Sequence, residues 1–291
     1  MVQLARAVHH ELTLVSQAPD YPPNAALVIG RKSDMKIVVL VKEVPDTYGD
    51  RRLSLETGLT DRAEGSVLDE ICERAVEVAV SYAGTAADVE VVLLSMSAEG
   101  ASSSVRRGLA MGATSAVQVR DDELLGADLS LTAEVLAAAL RRIGFDLVIA
   151  GNQSTDGAGG VIPAMVAELL DVPAATYLSS VRIEDGAVSG IRASDAADVS
   201  LRAEFPAVIS ITESLPDPRL PNFKGIMAAK KKPFETLTLN DLDVAPLAPD
   251  ASRSIVIDVS ERPARAAGRK IVDEGQAGTE LATFLRENRL V

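Results

Sequence analysis

Four short apolar runs, each followed by a segment with helical spacing, constrain the fold of this chain more than any other feature. The apolar runs are predicted strands and lie at 36–41, 88–94, 115–119 and 146–150. The amphipathic segments are predicted helices and lie at 66–80, 106–111, 127–143 and 161–171. A chain that alternates in this way forms a parallel sheet with right-handed crossovers and helices packed against it. We therefore predict an α/β fold with an open, mostly parallel sheet and helices on both faces.

The first predicted helix begins at Ser66, which has the short polar side chain of an N-cap and is followed three residues later by Asp69. Apolar residues then occupy two adjacent rows at spacing four and form one broad stripe: Val67, Ile71, Ala75, Ala79, Leu68, Cys72, Val76 and Val80. Before it, the segment from Val44 is predicted to turn, and residues 48–65 are predicted to form a long loop or a small hairpin.

Composition agrees with this fold and excludes several classes of partner. Aromatic residues make up 3% of the 291 residues, so the core must consist of aliphatic side chains, which suits a parallel sheet. The formal net charge is −13, which argues against nucleic acid as a partner, because phosphate backbones require clustered cations. The basic cluster Lys230–Lys232 is too short to change this. No run approaches the roughly 18 apolar residues of a membrane helix, so we expect no membrane insertion.

Cysteine and histidine are scarce, which limits the chemistry of the side chains. Cys72 is the only cysteine; this excludes an internal disulfide and fits a reducing, cytoplasmic compartment. Both histidines, His9 and His10, lie in residues 1–34, which we expect to be a loose or non-native N-terminal extension. The body would then lack the commonest general base and zinc ligand. We therefore expect no catalytic side chain and no metal site.

The pattern changes after Pro173. Two short β-like runs flank Glu184–Ala187 and predict a β-hairpin, with further strands at 201–204 and 207–211. A Pro-rich loop follows at 214–225. Residues 245–291 are predicted to form an extended C-terminal arm that ends in a helix, Glu280–Asn288. Such an arm either wraps a partner or packs on its own domain, and the residues leave both alternatives open.

A glycine-rich stretch, Gly151–Met165, connects the predicted strand at 146–150 to the helix at 161–171. Backbone N–H groups at the start of a helix lack partners and carry partial positive charge, so turns of this kind bind phosphate. The alternative is an ordinary strand-to-helix turn, since no complete fingerprint of a phosphate loop is present.

Five motifs stand in the order found in one family. They are Val41–Thr47, Arg107–Ala113, Gly151–Gly157, Phe223–Lys232 and Pro263–Ile271. Together the motifs resemble the β subunit of electron transfer flavoproteins, and the resemblance covers about residues 35–291. It implies a nucleotide-binding α/β domain of the adenine-binding αβα type at 35–244, including a recognition loop at 213–225, followed by an arm at 245–291 that contacts an α subunit.

The resemblance also implies a function. The chain would be an electron carrier subunit rather than an enzyme, in a heterodimer whose α subunit holds most of the FAD. It would bind a structural AMP, dock on acyl-CoA dehydrogenases of fatty acid β-oxidation, and help to pass electrons toward a quinone-linked oxidoreductase. The alternatives are a stand-alone adenine-nucleotide-binding protein and an ATP-dependent enzyme of related fold. Lys42–Thr47 after the first strand lacks the glycine pair of such enzymes.

Positions matching the family's AMP pocket lie at the ends of three strands and at a helix start. The implied residues are Leu40, Asp69, Glu70, Ile71, Cys72, Met96, Asp156, Gly157, Ala158, Gly159, Gly160, Val161, Ile162, Pro163, Ala164 and Met165. Each has a plainer alternative: Leu40 and Met96 as core residues, Cys72 as inert packing, and Asp156 as a helix cap.

Two further features follow from the resemblance. The docking residues would be Phe223, Lys224 and Ile226, with Phe223 as an apolar anchor or, alternatively, folded back on its own domain. Electron-bifurcating members bind a second FAD in place of AMP and carry Asp-Gly-Asp-Thr in the turn. Here the turn contains Asp156–Gly159 without the second acid and the threonine, which favours AMP.

Overall fold

The computed structural model describes residues 35–46, 48–49, 51–246, 253–263, 268 and 270–291. The predicted N-terminal extension lies outside the described residues, and so do parts of the predicted arm. Among the described residues, none of the helices is long and apolar enough to cross a membrane.

Strand and helix bounds follow the alternation that the sequence predicts. The strands are β1 (Met35–Leu40), β2 (Glu43–Pro45), β3 (Ser66–Leu68), β4 (Val89–Met96), β5 (Ser115–Val119), β6 (Leu147–Gly151), β7 (Ala174–Leu178), β8 (Ser180–Glu184), β9 (Ala187–Ala193), β10 (Asp198–Glu204), β11 (Ala207–Ile211) and β12 (Phe234–Leu237). The helices are α1 (Glu70–Ala83), α2 (Ser102–Met111), α3 (Leu129–Ile143), α4 (Ile162–Leu170), α5 (Phe223–Ala229) and α6 (Ala277–Glu287).

The central element is a seven-stranded sheet in the order β12-β5-β4-β1-β6-β11-β7. All of its pairings are parallel, which confirms the predicted α/β class. From β1 the chain adds β4 and β5 on one side and then crosses to place β6 on the other. In open α/β sheets, ligands bind outside the carboxyl ends of the strands at such a switch point, here between β1 and β6.

Helices cover both faces of this sheet, as predicted. Successive side chains of a strand point to opposite faces, and in β1 Ile37 and Val39 pack with α1 and α2, whereas Val38 and Leu40 pack with α3 and α4. The predicted hairpin is also confirmed: β8 and β9 pair antiparallel around Asp185 and Gly186, and β10 continues the same small sheet.

The first predicted helix start is wrong. Ser66 does not cap α1; it opens β3, which pairs antiparallel with β2, so the segment from Val44 begins as a strand rather than a turn. The helix begins one turn later, with Asp69 at the N-cap position. Val67 and Leu68 match helical spacing, but their backbone pairs with Glu43 and Val44, and this tertiary pairing outweighs the local pattern.

The sequence interpretation also missed β7, α5 and β12. Strand β7 is a half-exposed edge strand, α5 has seven residues, and β12 has four. Elements this short give weak periodic signals. As a result, the loop predicted to end at Gly225 in fact enters α5 at Phe223.

Candidate functional site

The glycine-rich turn leaves β6 at the carboxyl edge of the sheet, beside the end of β1 and the start of α1. Gly151 packs directly against α1, since an added Cβ would lie 2.6 Å from Ile71 Cγ2. The backbone N–H of Asn152 then donates to the Ile211 carbonyl of β11 (2.9 Å). The turn is therefore built between three elements rather than projecting freely from the sheet.

Asp156 holds a charged network inside the turn. Its side chain is 4% exposed, and its carboxylate accepts from Lys42 Nζ (2.6 Å) and Arg62 Nη2 (3.3 Å). Burial alone would raise the pKa of Asp156, but the hydrogen bond and charge of Lys42 hold it below its usual range. The carboxylate thus remains ionised and ties the end of β1 and the 51–62 segment to the turn.

Asp69 makes the second anchor. It is fully buried, and its Oδ2 accepts from the Thr155 backbone N–H (2.9 Å). Its other oxygen, Oδ1, and the Thr155 hydroxyl oxygen are both buried without a hydrogen-bond partner. Burial raises the pKa of Asp69, and repulsion from Asp156 adds to the shift. Buried unpartnered polar atoms are rare in folded proteins and indicate a missing interaction.

The other end of the turn is held from the edge of the sheet. The Tyr177 hydroxyl donates to the Gly160 carbonyl at 3.0 Å. Gly160 adopts a left-handed φ of 68°, and a Cβ there would overlap the Tyr177 hydroxyl oxygen. Glycine is therefore required at this position by both conformation and space.

The start of α4 has no side-chain cap. Its N-cap residue is Val161, whose side chain cannot accept a hydrogen bond, and Asp156 binds cations instead, so the alternative interpretation of Asp156 as a helix cap is wrong. The first N–H groups of α4 are left without a side-chain acceptor, as in the helix starts that bind anions.

The remaining predicted pocket residues divide between core and surface. Leu40 is buried and Met96 partly buried on the α3–α4 side of the sheet, whereas Ile71 and Cys72 are buried on the α1 side. Burial raises the pKa of the Cys72 thiol to about 12, so the thiol is neutral and acts as packing. Glu70 is exposed. The structure thus brings Asp69 and Asp156 together around the turn and leaves the four apolar or thiol side chains in the core.

The turn gathers several groups that are charged or lack a hydrogen-bond partner. Two cations, the uncapped start of α4 and two unpartnered polar atoms of Asp69 and Thr155 meet around exposed backbone at Gly157–Gly159. The two cations and the free backbone N–H groups of α4 are donors that suit an anion, whereas Asp69 Oδ1 is an acceptor that suits a hydrogen-bond donor of a ligand. Sequence reasoning missed Lys42, Arg62 and Tyr177 as site residues; the signal for Lys42 was its place two residues after β1, within the motif Val41–Thr47.

A second candidate site is the loop between β11 and α5. Its base is clamped to α1: Arg219 binds Glu77 through Nε and Nη2 (both 2.8 Å), and Arg74 binds Asp217 (2.5 Å). Burial of Glu77 opposes ionisation, but the Arg219 hydrogen bonds lower the pKa of Glu77 to about 2. The clamp fixes the loop without covering its tip.

The tip presents an apolar face. Phe223 is 79% and Leu220 81% exposed, and Ile226 and Met227 continue the face along α5 at spacings three and four. Lys224 is exposed beside them. The alternative in which Phe223 folds back on its own domain is therefore wrong. Leu220 and Met227 were missed, although Leu220 lies within the predicted loop.

The base of α5 is fixed to α2, which keeps this face outward. Asn222 caps α5 by accepting from the Gly225 N–H (2.8 Å), and a Cβ at Gly225 would collide with the Ala110 carbonyl. Lys232 donates to the Leu109 and Ala113 carbonyls at the end of α2 (2.9 and 2.6 Å). Lys232 therefore caps a helix rather than serving a partner.

The described part of the arm contacts its own domain at Arg253, at Ser254, whose N–H donates to Asp128 Oδ2 (2.6 Å), and at Val256, which lies against Gly58, and it is otherwise mostly exposed. Arg253 binds both carboxylate oxygens of Glu134 on α3 (2.9 and 2.7 Å). Beyond it, Ile255–Ile257 are exposed, and α6 has no buried residue although it carries Leu281 and Phe284.

Comparisons with known proteins agree with this arrangement. A family model described as "Electron transfer flavoprotein domain" matches residues 57–242. The protein named "Electron transfer flavoprotein subunit beta" in Mycobacterium tuberculosis H37Rv is 43% identical over 263 residues, covering 88% of this chain and 99% of that protein. Proteins of the same name are 43% identical in Mycobacterium leprae (88% and 99% covered) and 29% identical in Bacillus subtilis (88% and 100% covered).

Proposed function

Because this chain belongs to the electron transfer flavoprotein family as a β subunit, we propose that it joins an α subunit, binds AMP in the glycine-rich turn, and docks on acyl-CoA dehydrogenases through the tip of the β11–α5 loop. As a member of this family it is an electron carrier subunit and not an enzyme. Family membership gives no support to a stand-alone nucleotide-binding protein or an ATP-dependent enzyme.

The observation that carries the AMP proposal is a turn with the uncapped start of α4 at one end and two buried, unpartnered polar atoms at the other. The N–H groups near Gly159–Val161 would hold the phosphate. Lys42 and Arg62 would contribute positive charge, partly neutralised by Asp156. The turn has Ala158 in place of the second acid and Gly159 in place of the threonine found in members that bind a second FAD, and this favours AMP.

FAD would be shared with, and held mainly by, the α subunit. When bound, flavin supplies the redox step, and protein groups bind and orient it. The exposed Ile255–Ile257 segment and the apolar side chains of α6 support the proposal that the C-terminal arm contacts the α subunit, because exposed apolar patches mark partner surfaces.

Docking on a dehydrogenase is supported by the exposed apolar tip. Interface energy concentrates in a few anchors that enter pockets on the partner, and Leu220 and Phe223 have this form. Lys224 and Ile226 would surround the anchors. Electrons would pass onward to a quinone-linked oxidoreductase, and we place the complex in the cytoplasm and in fatty acid β-oxidation.

Co-expression with an α-type subunit tests the proposal. The purified complex is denatured and the released nucleotides are separated and quantified by chromatography. The proposal expects a yellow complex that releases FAD and AMP at about one each. The matched variant Asp156→Asn should release less AMP and the same FAD, since it changes only the turn.

Two outcomes contradict the proposal in different ways. Release of two FAD and no AMP would assign the chain to the bifurcating type. A colourless chain that does not associate with the α subunit would contradict the carrier role in this complex.

A further inference from the structure

We propose that Tyr177 is a positioning residue for the nucleotide phosphate: its hydroxyl holds the Gly160 carbonyl and thereby turns the Val161 N–H toward the ligand. This inference rests on the proposed function, because it concerns the same site. Tyr177 reaches the turn from β7, at the edge of the sheet and 17 residues along the chain.

The backbone of Tyr177 is held in an unusual conformation. Its φ is 59°, in the left-handed region that bulky residues seldom adopt. The pairing of β7 with β11 shifts register here: Ile209 and Ile211 lie opposite Ala175 and Leu178, so β7 contains one extra residue. The Tyr177 N–H, displaced from the ladder, donates to the buried Ser210 hydroxyl (2.8 Å).

The bulge points the side chain at the turn. Bulges often occur beside functional sites, where they re-aim a side chain, and residues held in rare backbone conformations cluster there. Here the result is the hydrogen bond from the Tyr177 hydroxyl to the Gly160 carbonyl. The hydroxyl occupies the space that a Cβ at position 160 would need.

By holding the Gly160 carbonyl, this hydrogen bond also fixes the direction of the Val161 N–H. The peptide unit that joins Gly160 to Val161 is planar and trans, so its C=O and N–H point in opposite directions. With the carbonyl fixed toward Tyr177, the Val161 N–H points away from it. Val161 is the N-cap of α4, so this N–H belongs to the positive end of the helix.

An independent observation indicates a ligand at the same turn. Asp69 Oδ1 and Thr155 Oγ1 are buried without hydrogen-bond partners, whereas the neighbouring Asp156 carboxylate accepts from Lys42 and Arg62, and the Thr155 N–H donates to Asp69 Oδ2. Asp69 itself is fully buried. A turn held at one end by Tyr177 and left unsatisfied at the other is suited to receive a polar ligand.

The test compares two ligands that differ only in the phosphate. The heterodimer with the α-type subunit is stripped of nucleotide, and binding of AMP and of adenosine is measured by calorimetry for wild type and Tyr177→Phe. Loss of the hydroxyl should weaken AMP binding about five- to tenfold, as expected for one hydrogen bond, and leave adenosine binding unchanged. Tyr82→Phe, at the far end of α1, is the control and should change neither.

Thermal unfolding of the stripped complex shows separately whether each variant folds. In Gly160→Ala the added methyl group displaces the Tyr177 hydroxyl, so this variant should show the same selective loss of AMP binding. Equal weakening of AMP and adenosine by Tyr177→Phe would overturn the positioning role, as would unchanged AMP affinity. A wild-type complex that binds adenosine and AMP equally would overturn it too. A wild-type complex that binds neither would overturn the proposed AMP function and this inference with it.

Discussion

The turn after β6 and the loop after β11 leave neighbouring strands at the same edge of the sheet but are built in opposite ways. The turn buries its charge: Asp156 is 4% exposed and binds two cations. The loop leaves its carboxylate outside, with Asp217 89% exposed, and presents Phe223 to solvent. The first arrangement suits the holding of a ligand and the second suits contact with a partner.

This difference has an energetic consequence. Removing one member of a buried ion pair leaves a charge without compensation and is costly, whereas exposed pairs contribute about 1 kcal/mol or less. Substitutions in the turn should therefore affect stability and nucleotide binding together. Substitutions at the loop tip should affect partner recognition alone.

The largest expected effect is at the loop tip. Replacing Leu220 and Phe223 together by Ala removes both anchors, and because hot-spot side chains contribute about 2 kcal/mol each, kcat/KM for reduction of the complex by an acyl-CoA dehydrogenase should fall by roughly 1,000-fold. The unfolding midpoint and nucleotide content should not change. Stopped-flow reduction by the dehydrogenase measures the first quantity.

Leu125→Ala is the matched control, because Leu125 is a leucine of similar exposure (68%) outside the loop. It should leave the rate unchanged. An equal loss in the control, or wild-type rates in the double variant, would show that the tip is not the docking surface.

The second-largest expected effect is on stability, and it is measured by replacing Asp with Asn once in the turn and once in the loop. Asp156→Asn removes the charge that Lys42 and Arg62 share, and since both cations remain partly exposed, we expect a loss of about 2 kcal/mol, below the full cost of breaking a buried pair. Asp217→Asn should cost no more than about 0.5 kcal/mol. Urea unfolding of both variants measures the difference, and equal losses would remove the contrast between the regions.

The smallest effect is a loss of stability at low pH that involves Glu77. The pKa of Glu77 is lowered to about 2 from a reference value of 4.5, so its contribution to stability is complete above about pH 4.5 and is lost as the pH falls toward 2. Because Arg219 is 44% exposed, the contribution should be about 1 kcal/mol. The gap in unfolding free energy between wild type and Glu77→Gln should be constant from pH 7 to 5 and shrink below pH 4.5. A gap that widens in acid would contradict this assignment.

Elements with strong local patterns could be predicted from the sequence. The strand at 115–119 has the predicted bounds, and α3 ends at Ile143, the predicted last residue of that helix. The interpretation was wrong at Ser66–Leu68, where a helical pattern forms a strand. There, pairing with β2 supplies backbone hydrogen bonds that no local pattern reveals.

The α/β class and the position of the glycine-rich turn could be predicted from the sequence, because hydrophobic spacing and turn residues act over short distances along the chain. The exposure of Phe223 and the side chains that hold the turn became clear only from the three-dimensional contacts. Lys42 and Arg62 reach Asp156 from 114 and 94 residues away, and a bulge in an edge strand directs Tyr177 to Gly160. These contacts depend on strand order and register. Strand order and register bring together residues that are far apart in the sequence, and the local sequence around each residue does not predict the contact.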